Sequence, residues 1–300
     1  MGAVFMSEAR YFEVAGVTLA VRADRPIDAN TFHQKFENFE VDSPGGDVVE
    51  VHHHFGIPSL ERLNLGPLVT SRGPWEIHNR EGVWAYVGVL PGPERHVYQV
   101  ILMDEARGQI LIHNEDDAAF ERGGIDSLFL CPTDQTLLAR LLARRQALIL
   151  HSSAALIDGR GLMFVGHSGA GKSTTLGMLD PRAEVLCDDR NVVRLWDDGF
   201  RVHGTWSNGD VIEVSGAAGP LRAVMFIHQA SENRLERIEN GQRLLAAILD
   251  CIVRPLETAE WWQSTLHVVG ALVRDVPCYN LYLDKTGAAR QLIEGLGETE

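Results

Sequence analysis

The residues best suited to chemistry stand together at Gly166-His-Ser-Gly-Ala-Gly-Lys172-Ser173, which fits the phosphate-loop (Walker A) pattern G-x-x-x-x-G-K-[ST]. Small residues at Gly166, Gly169, Ala170 and Gly171 let the backbone curl so that several N–H groups point at one phosphate chain. Lys172 then reaches the β- and γ-phosphates, and the Ser173 hydroxyl meets Mg²⁺. Gly166, His167, Ser168, Gly169, Ala170, Gly171, Lys172, Ser173 and Thr174 are therefore the candidate nucleotide-binding residues, with ATP and Mg²⁺ as the expected ligands. A second cluster follows at Glu184-Val-Leu-Cys-Asp188-Asp189-Arg190, a short apolar run ending in two acids and a base. Asp189 is the candidate metal ligand beside Ser173. Asp188 is placed to accept a proton from an attacking hydroxyl, and Arg190 to stabilise the transferring charge.

These residues need particular elements to hold them. Gly161-Leu-Met-Phe-Val165 reads as a buried strand, and Lys172 to Leu179 as a helix whose N-terminus faces the anion. In a parallel α/β unit the strand from Glu184 ends beside the phosphate loop, so its acids meet the metal. Next comes a hairpin, Asn191–Trp196 and Phe200–His203 about a turn at Asp197-Asp-Gly199, where most nucleotide switches would run into a helix. The loop Gly204–Asp210 emerges beside the acids, with Asp210 and Glu213 as candidates for a further metal-binding acid. Leu221–His228 reads as a central strand, Gln242–Val253 and Glu257–Asp275 as helices separated by Pro255, and Cys278–Leu283 as a last strand, with a short helix beyond Gly287. Upstream, Pro132–Arg145 has helical periodicity with Thr133 as N-cap, leading into a strand that ends at His151.

The stretch from His151 to about His203 resembles the catalytic domain of HPr kinase/phosphorylase and its relatives, a fold shared with ATP-dependent phosphoenolpyruvate carboxykinase. The matching pieces are Leu148-Ile-Leu-His151-Ser-Ser-Ala-Ala-Leu-Ile157, the turn Asp158-Gly-Arg, the phosphate loop and Asp188-Asp-Arg-Asn-Val-Val193. His151 stands fifteen residues before Gly166, the spacing of that family, and the resemblance gives it a site role in stabilising charge. His203-Gly-Thr-Trp206 and Pro277–Gly287 are similar to uncharacterised HPr kinase-like proteins found near peptide-modification genes. The chain departs from the pattern in two places. Val202-His203-Gly204 stands where true HPr kinases carry Glu-Ile-Arg-Gly, and Lys285 is the only lysine after Lys172, so the Lys-rich loop linked to phosphorolysis is missing. The resemblance implies an α/β fold, a P-loop HPr kinase-like domain at 128–300; residues 1–127 before it read as a β-rich domain. It also implies a kinase whose acceptor is a Ser of a protein or peptide. It does not extend to the HPr substrate or the reverse reaction. A nucleotide-dependent regulatory switch, a small-molecule alcohol kinase and carboxykinase chemistry are the competing readings.

Residues 7 to about 127 carry short alternating runs separated by Gly and Pro, which predict an antiparallel sheet or sandwich. Tyr11–Ala15 and Val17–Arg22 form a hairpin about Gly16, and Glu121-Arg-Gly-Gly124 marks the linker. Within the sheet, His52 and His54 can share a face, with His78 or His113 as a third ligand, whereas His53 points away. Ordinary polar-face histidines are the plainer reading. Trp75, Trp84 and Tyr86 read as packing residues. The exposed edge of such a sheet could add an acceptor peptide as an extra strand.

A formal charge of −14 argues against nucleic-acid and anionic-membrane partners. No apolar run is long enough to span a bilayer, and the first residues fit neither a signal peptide nor a myristoylation site. Four scattered cysteines, Cys131, Cys187, Cys251 and Cys278, suit free thiols in a reducing cytoplasm. A homo-oligomer is compatible with all of this.

Overall fold

The computed structural model describes residues 8–130, 134–167, 169–255, 257–284, 286 and 288–298. Contacts divide the chain into two compact units, Met1–Asp134 and Gln135–Glu300. Cys131, the Thr133 cap, Ser168, Lys285 and Gly287 lie outside the described residues.

The first unit is built on one sheet. Its strands are β1 (Arg10–Val14), β2 (Val17–Ala23), β3 (Glu40–Val41), β4 (Val48–Phe55), β5 (Leu68–Arg72), β6 (Trp75–Arg80), β7 (Val83–Leu90), β8 (His96–Asp104) and β9 (Gln109–Asn114). They lie in the order β3-β1-β2-β4-β9-β8-β7-β6-β5. The hairpin about Gly16 forms as expected, with positive φ at Ala15 and Gly16. The sheet is not antiparallel throughout. β2 and β9 both run parallel to β4, because long connections, rather than tight turns, carry the chain into and out of β4. β5 was not legible in the sequence, since four of its five residues are exposed and give no alternation. Two short helices, α1 (Leu60–Leu63) and α2 (Ala118–Arg122), accompany the sheet. The Gly123-Gly124 pair read as a linker is tied into this unit, with Gly124 N–H donating to Asn30 O at 2.8 Å. Trp84 and Tyr86 are buried packing residues, and Trp75 meets Tyr98 at 5.8 Å between ring centroids.

After α3 (Asp134–Ala143), the second unit opens with β10 (Ala147–Ile157) and β11 (Arg160–Val165). α4 (Lys172–Met178), β12 (Glu184–Cys187), β13 (Arg190–Trp196), β14 (Gly199–His203), β15 (Ala218–Gln229) and β16 (Arg234–Arg237) follow. The chain closes with α5 (Gly241–Cys251), α6 (Ala259–Asp275), β17 (Cys278–Leu283) and α7 (Ala289–Glu298). The strand order is β11-β10-β13-β14-β15-β17-β16, with β12 on β10 and β11 also paired to β15. This sheet too is mixed: β15 runs parallel to β11 and β17, and its other neighbour β14 is antiparallel.

Both faces are covered, which explains why β11 is apolar at every position after Gly161. Met163 and Val165 join the core under α5 and α6, with Leu244, Ile248, Val269 and Leu272. Leu162 and Phe164 face the other way, into the core under α4 and α7 with Leu176, Ala289 and Ile293. Each such side chain contributes about 1.5–3 kcal/mol by leaving water, so the strand bearing the Gly166 loop is among the most firmly held parts of the unit.

Candidate functional site

β10 organises the site. His151 does not end it; the strand continues to Ile157 by exchanging partners on one edge. Up to His151, opposite Arg190, it pairs with β13, and from Ala154 it pairs with β12. The gap is bridged by Ser152 N–H donating to Asp189 O at 3.0 Å. β11 lies antiparallel on the other edge, so β11 and β12 run in the same direction. The loop after Val165 and the acids after Cys187 therefore leave the sheet at the same end.

The Gly166 loop is shaped by its small residues. A Cβ at Gly166 would lie 2.8 Å from the Cβ of Ala170. Gly169 and Gly171 have φ of 78° and 110°, the left-handed region that favours glycine. Lys172 is buried, and its ammonium donates to Gly166 O at 3.0 Å and His167 O at 3.4 Å. Burial pushes its pKa down, against the opposing charges of Asp188 and Asp189. His167 and Thr174 are exposed and Ser173 is half-buried. Thr175 secures the first turn of α4 by donating its hydroxyl to Gly171 O at 2.8 Å. Gln229, at the end of β15, donates to Gly169 O at 2.8 Å.

The two acids differ sharply. Asp188 is buried, accepting from the Ser153 hydroxyl at 2.6 Å on one oxygen and from Val211 N–H at 2.9 Å on the other. Asp189 is more open. One oxygen accepts from Arg190 at 2.7 Å and from the Ser207 hydroxyl at 2.8 Å, while the other stands 3.5 Å from His151 Nε2. Burial lowers the pKa of His151 first and the Lys172 charge second, with Asp189 opposing. The structure thus gathers Lys172, Asp188, Asp189, Arg190 and His151 around the middle of β10 and the C-terminal ends of β11 and β12. Asp210 and Glu213 are not drawn in. Both are exposed and make no hydrogen bond or ion pair among the described residues; the backbone of Val211 reaches Asp188 instead.

Several residues here escaped the sequence reading. Cys187, treated only as a free thiol, accepts from the backbone N–H groups of Asp189 and Arg190, both at 3.4 Å, and bonds to Ser207 O. It braces the turn that carries the acids, and burial raises its pKa. Asn191 spans the same turn, donating to Ser152 O at 2.8 Å and Cys187 O at 3.1 Å. Ser153 had one visible signal, a hydroxyl two residues after His151 on the same strand, where both face one way. Beside these groups opens a cleft of about 700 Å³ whose lining includes His151, Gly166, His167, Gln229, Asp250 and Cys251.

Fold and site define an α/β protein with two mixed sheets and a glycine-rich loop facing paired acids. Among solved structures it is similar to the Hpr(Ser) kinase/phosphatase from Coxiella burnetii, with 13% identity and a TM-score of 0.29 over 50% of this chain and 87% of that one. Comparison with curated proteins returns no match. The family profile described as "SynChlorMet cassette protein ScmC" matches residues 133–296. That is more than half of the sequence, and the chain belongs to this family.

Proposed function

We propose that the protein is an ATP·Mg²⁺-dependent phosphotransferase with a hydroxyl acceptor, most simply the Ser of a protein or peptide. One observation carries the reading: a buried lysine on a glycine-shaped loop shares one sheet end with two acids, an arginine and a histidine. The residues suit the ligands. Gly166, Gly169 and Gly171 present backbone without side chains along the loop, and the Lys172 ammonium rests on loop carbonyls that phosphate oxygens can replace. Gly166, His167, Ser168, Gly169, Ala170, Gly171, Lys172, Ser173 and Thr174 would hold the triphosphate. Ser173 and Asp189 would hold Mg²⁺, which when bound supplies charge neutralisation at the phosphates.

The chain's own residues then have distinct tasks. Loop N–H groups and Lys172 favour the form with charge spread over the γ-phosphoryl oxygens. Asp188, fixed by Ser153 and Val211, accepts the proton of the attacking hydroxyl. Arg190 and His151 flank the path of the transferring group. The cleft by His151 and Asp250 gives the acceptor room.

Incubating the full chain with γ-labelled ATP and a cell extract tests the reaction class. A discrete labelled acceptor, absent with the Lys172→Ala protein, supports the proposal. Label released only as inorganic phosphate overturns it in favour of a hydrolytic switch.

A further inference from the structure

The histidine run of β4 finds no use in phosphoryl transfer, and the sheet around it is arranged in an informative way. His52 and His54 share one face of β4. On one side β2 runs parallel, with Arg22 opposite His52 and Ala23 opposite His53, so the next residue, Asp24, stands beside His54. On the other side β9 also runs parallel and sets His113 opposite His54. Both parallel pairings are needed to bring these four side chains together.

Each oxygen of Asp24 takes a different imidazole: Oδ1 lies 2.9 Å from His52 Nε2, and Oδ2 lies 2.9 Å from His54 Nδ1. The His54 ring is stacked between His52, at 4.0 Å, and His113, at 5.0 Å. The Nδ1 atom of His113 is buried without a hydrogen-bond partner. We propose that Asp24, His52 and His54 form a binding site for a transition-metal dication of the Zn²⁺ type, with His113 as its inner wall and a water in the fourth position.

Ligand chemistry and geometry agree. Imidazole and carboxylate together are a donor set that suits Zn²⁺. The three ligand atoms already lie within 4.8 Å of one another. Tetrahedral bonds of 2.0–2.1 Å require donors about 3.3 Å apart. With Asp24 giving one oxygen, its 2.9 Å contact to an imidazole nitrogen opens by a few tenths of an ångström, and the other donor pairs close from at most 4.8 Å.

The full-length protein, stripped with a chelator, should be titrated with Zn²⁺ against a chromophoric competitor, and separately with Co²⁺ read by visible absorption. The expected result is one equivalent bound at this site with the intense visible band of four-coordinate Co²⁺. His52→Ala and Asp24→Asn should each weaken Zn²⁺ by about 100-fold or more and remove the band. His78→Ala, on β6, should change neither. Asp24→Asn keeps the shape of the side chain, so it decides the matter if His52→Ala fails to fold by circular dichroism. Absence of tight binding overturns the proposal. So does wild-type binding in a folded Asp24→Asn protein, which would put the ion elsewhere.

Discussion

At Gly166 a single methyl group decides whether the loop can close. The added Cβ would press on Ala170 at 2.8 Å, a separation that real Cβ contacts do not tolerate, so the loop must open. Gly166→Ala should therefore weaken ATP binding by roughly tenfold or more, measured by calorimetry, with far-UV circular dichroism unchanged. Unaltered affinity would mean that the loop does not wrap the phosphates. The glycines, Lys172 and the two acids were legible because they follow a sequence pattern of set residue types and spacing. Ser153, Cys187 and Ser207 were not. Their value comes from which strand lies beside which, and a lone hydroxyl or thiol carries no such information.

The strands that hold the site were readable where burial on both faces leaves a continuous apolar run, as in β11 and the core of β15. They were unreadable where the run is polar, as in β16, whose Arg234-Leu-Glu-Arg237 has one apolar residue and pairs antiparallel with β17. The parallel neighbours of β4 were missed for a related reason: alternation reports a strand's face, not the direction of its partner. The site also depends on β11 as an element. Phe164 is fully buried among the side chains under α4 and α7. Phe164→Ala should cost about 3–5 kcal/mol of unfolding free energy in denaturant titrations and reduce nucleotide affinity along with it. A loss below about 1 kcal/mol would contradict the two-sided packing.

For the molecule as a whole, pH and charge set limits. Among the described residues no helix is long and apolar enough to cross a membrane. His203 on β14 is held neutral: burial first, then the charges of Arg194 and Arg201, push its pKa from 6.5 down to about 4. Its Nε2 accepts from Trp196 Nε1 at 3.3 Å, as a neutral ring can. In the unfolded chain the same group takes up a proton below about pH 6.5. Its contribution is thus present above pH 6.5 and is lost as the pH falls towards 4, on the order of 3 kcal/mol in total. Unfolding titrations at pH 7 and pH 4.5 should show this loss, and His203→Gln should flatten the slope. An equal slope in wild type and variant would remove His203 as its cause.

The central claim is that the Gly166 loop binds ATP while Asp188 acts in the transfer step. ATP binding and phosphate transfer measured side by side on the wild type, Lys172→Ala and Asp188→Asn proteins test it most directly. Lys172→Ala should lose tight binding. Asp188→Asn should bind ATP within about threefold of wild type yet transfer phosphate roughly 100- to 10,000-fold more slowly, because a general base contributes in the transition state. An Asp188→Asn protein that binds ATP normally and transfers phosphate at the wild-type rate would contradict the account.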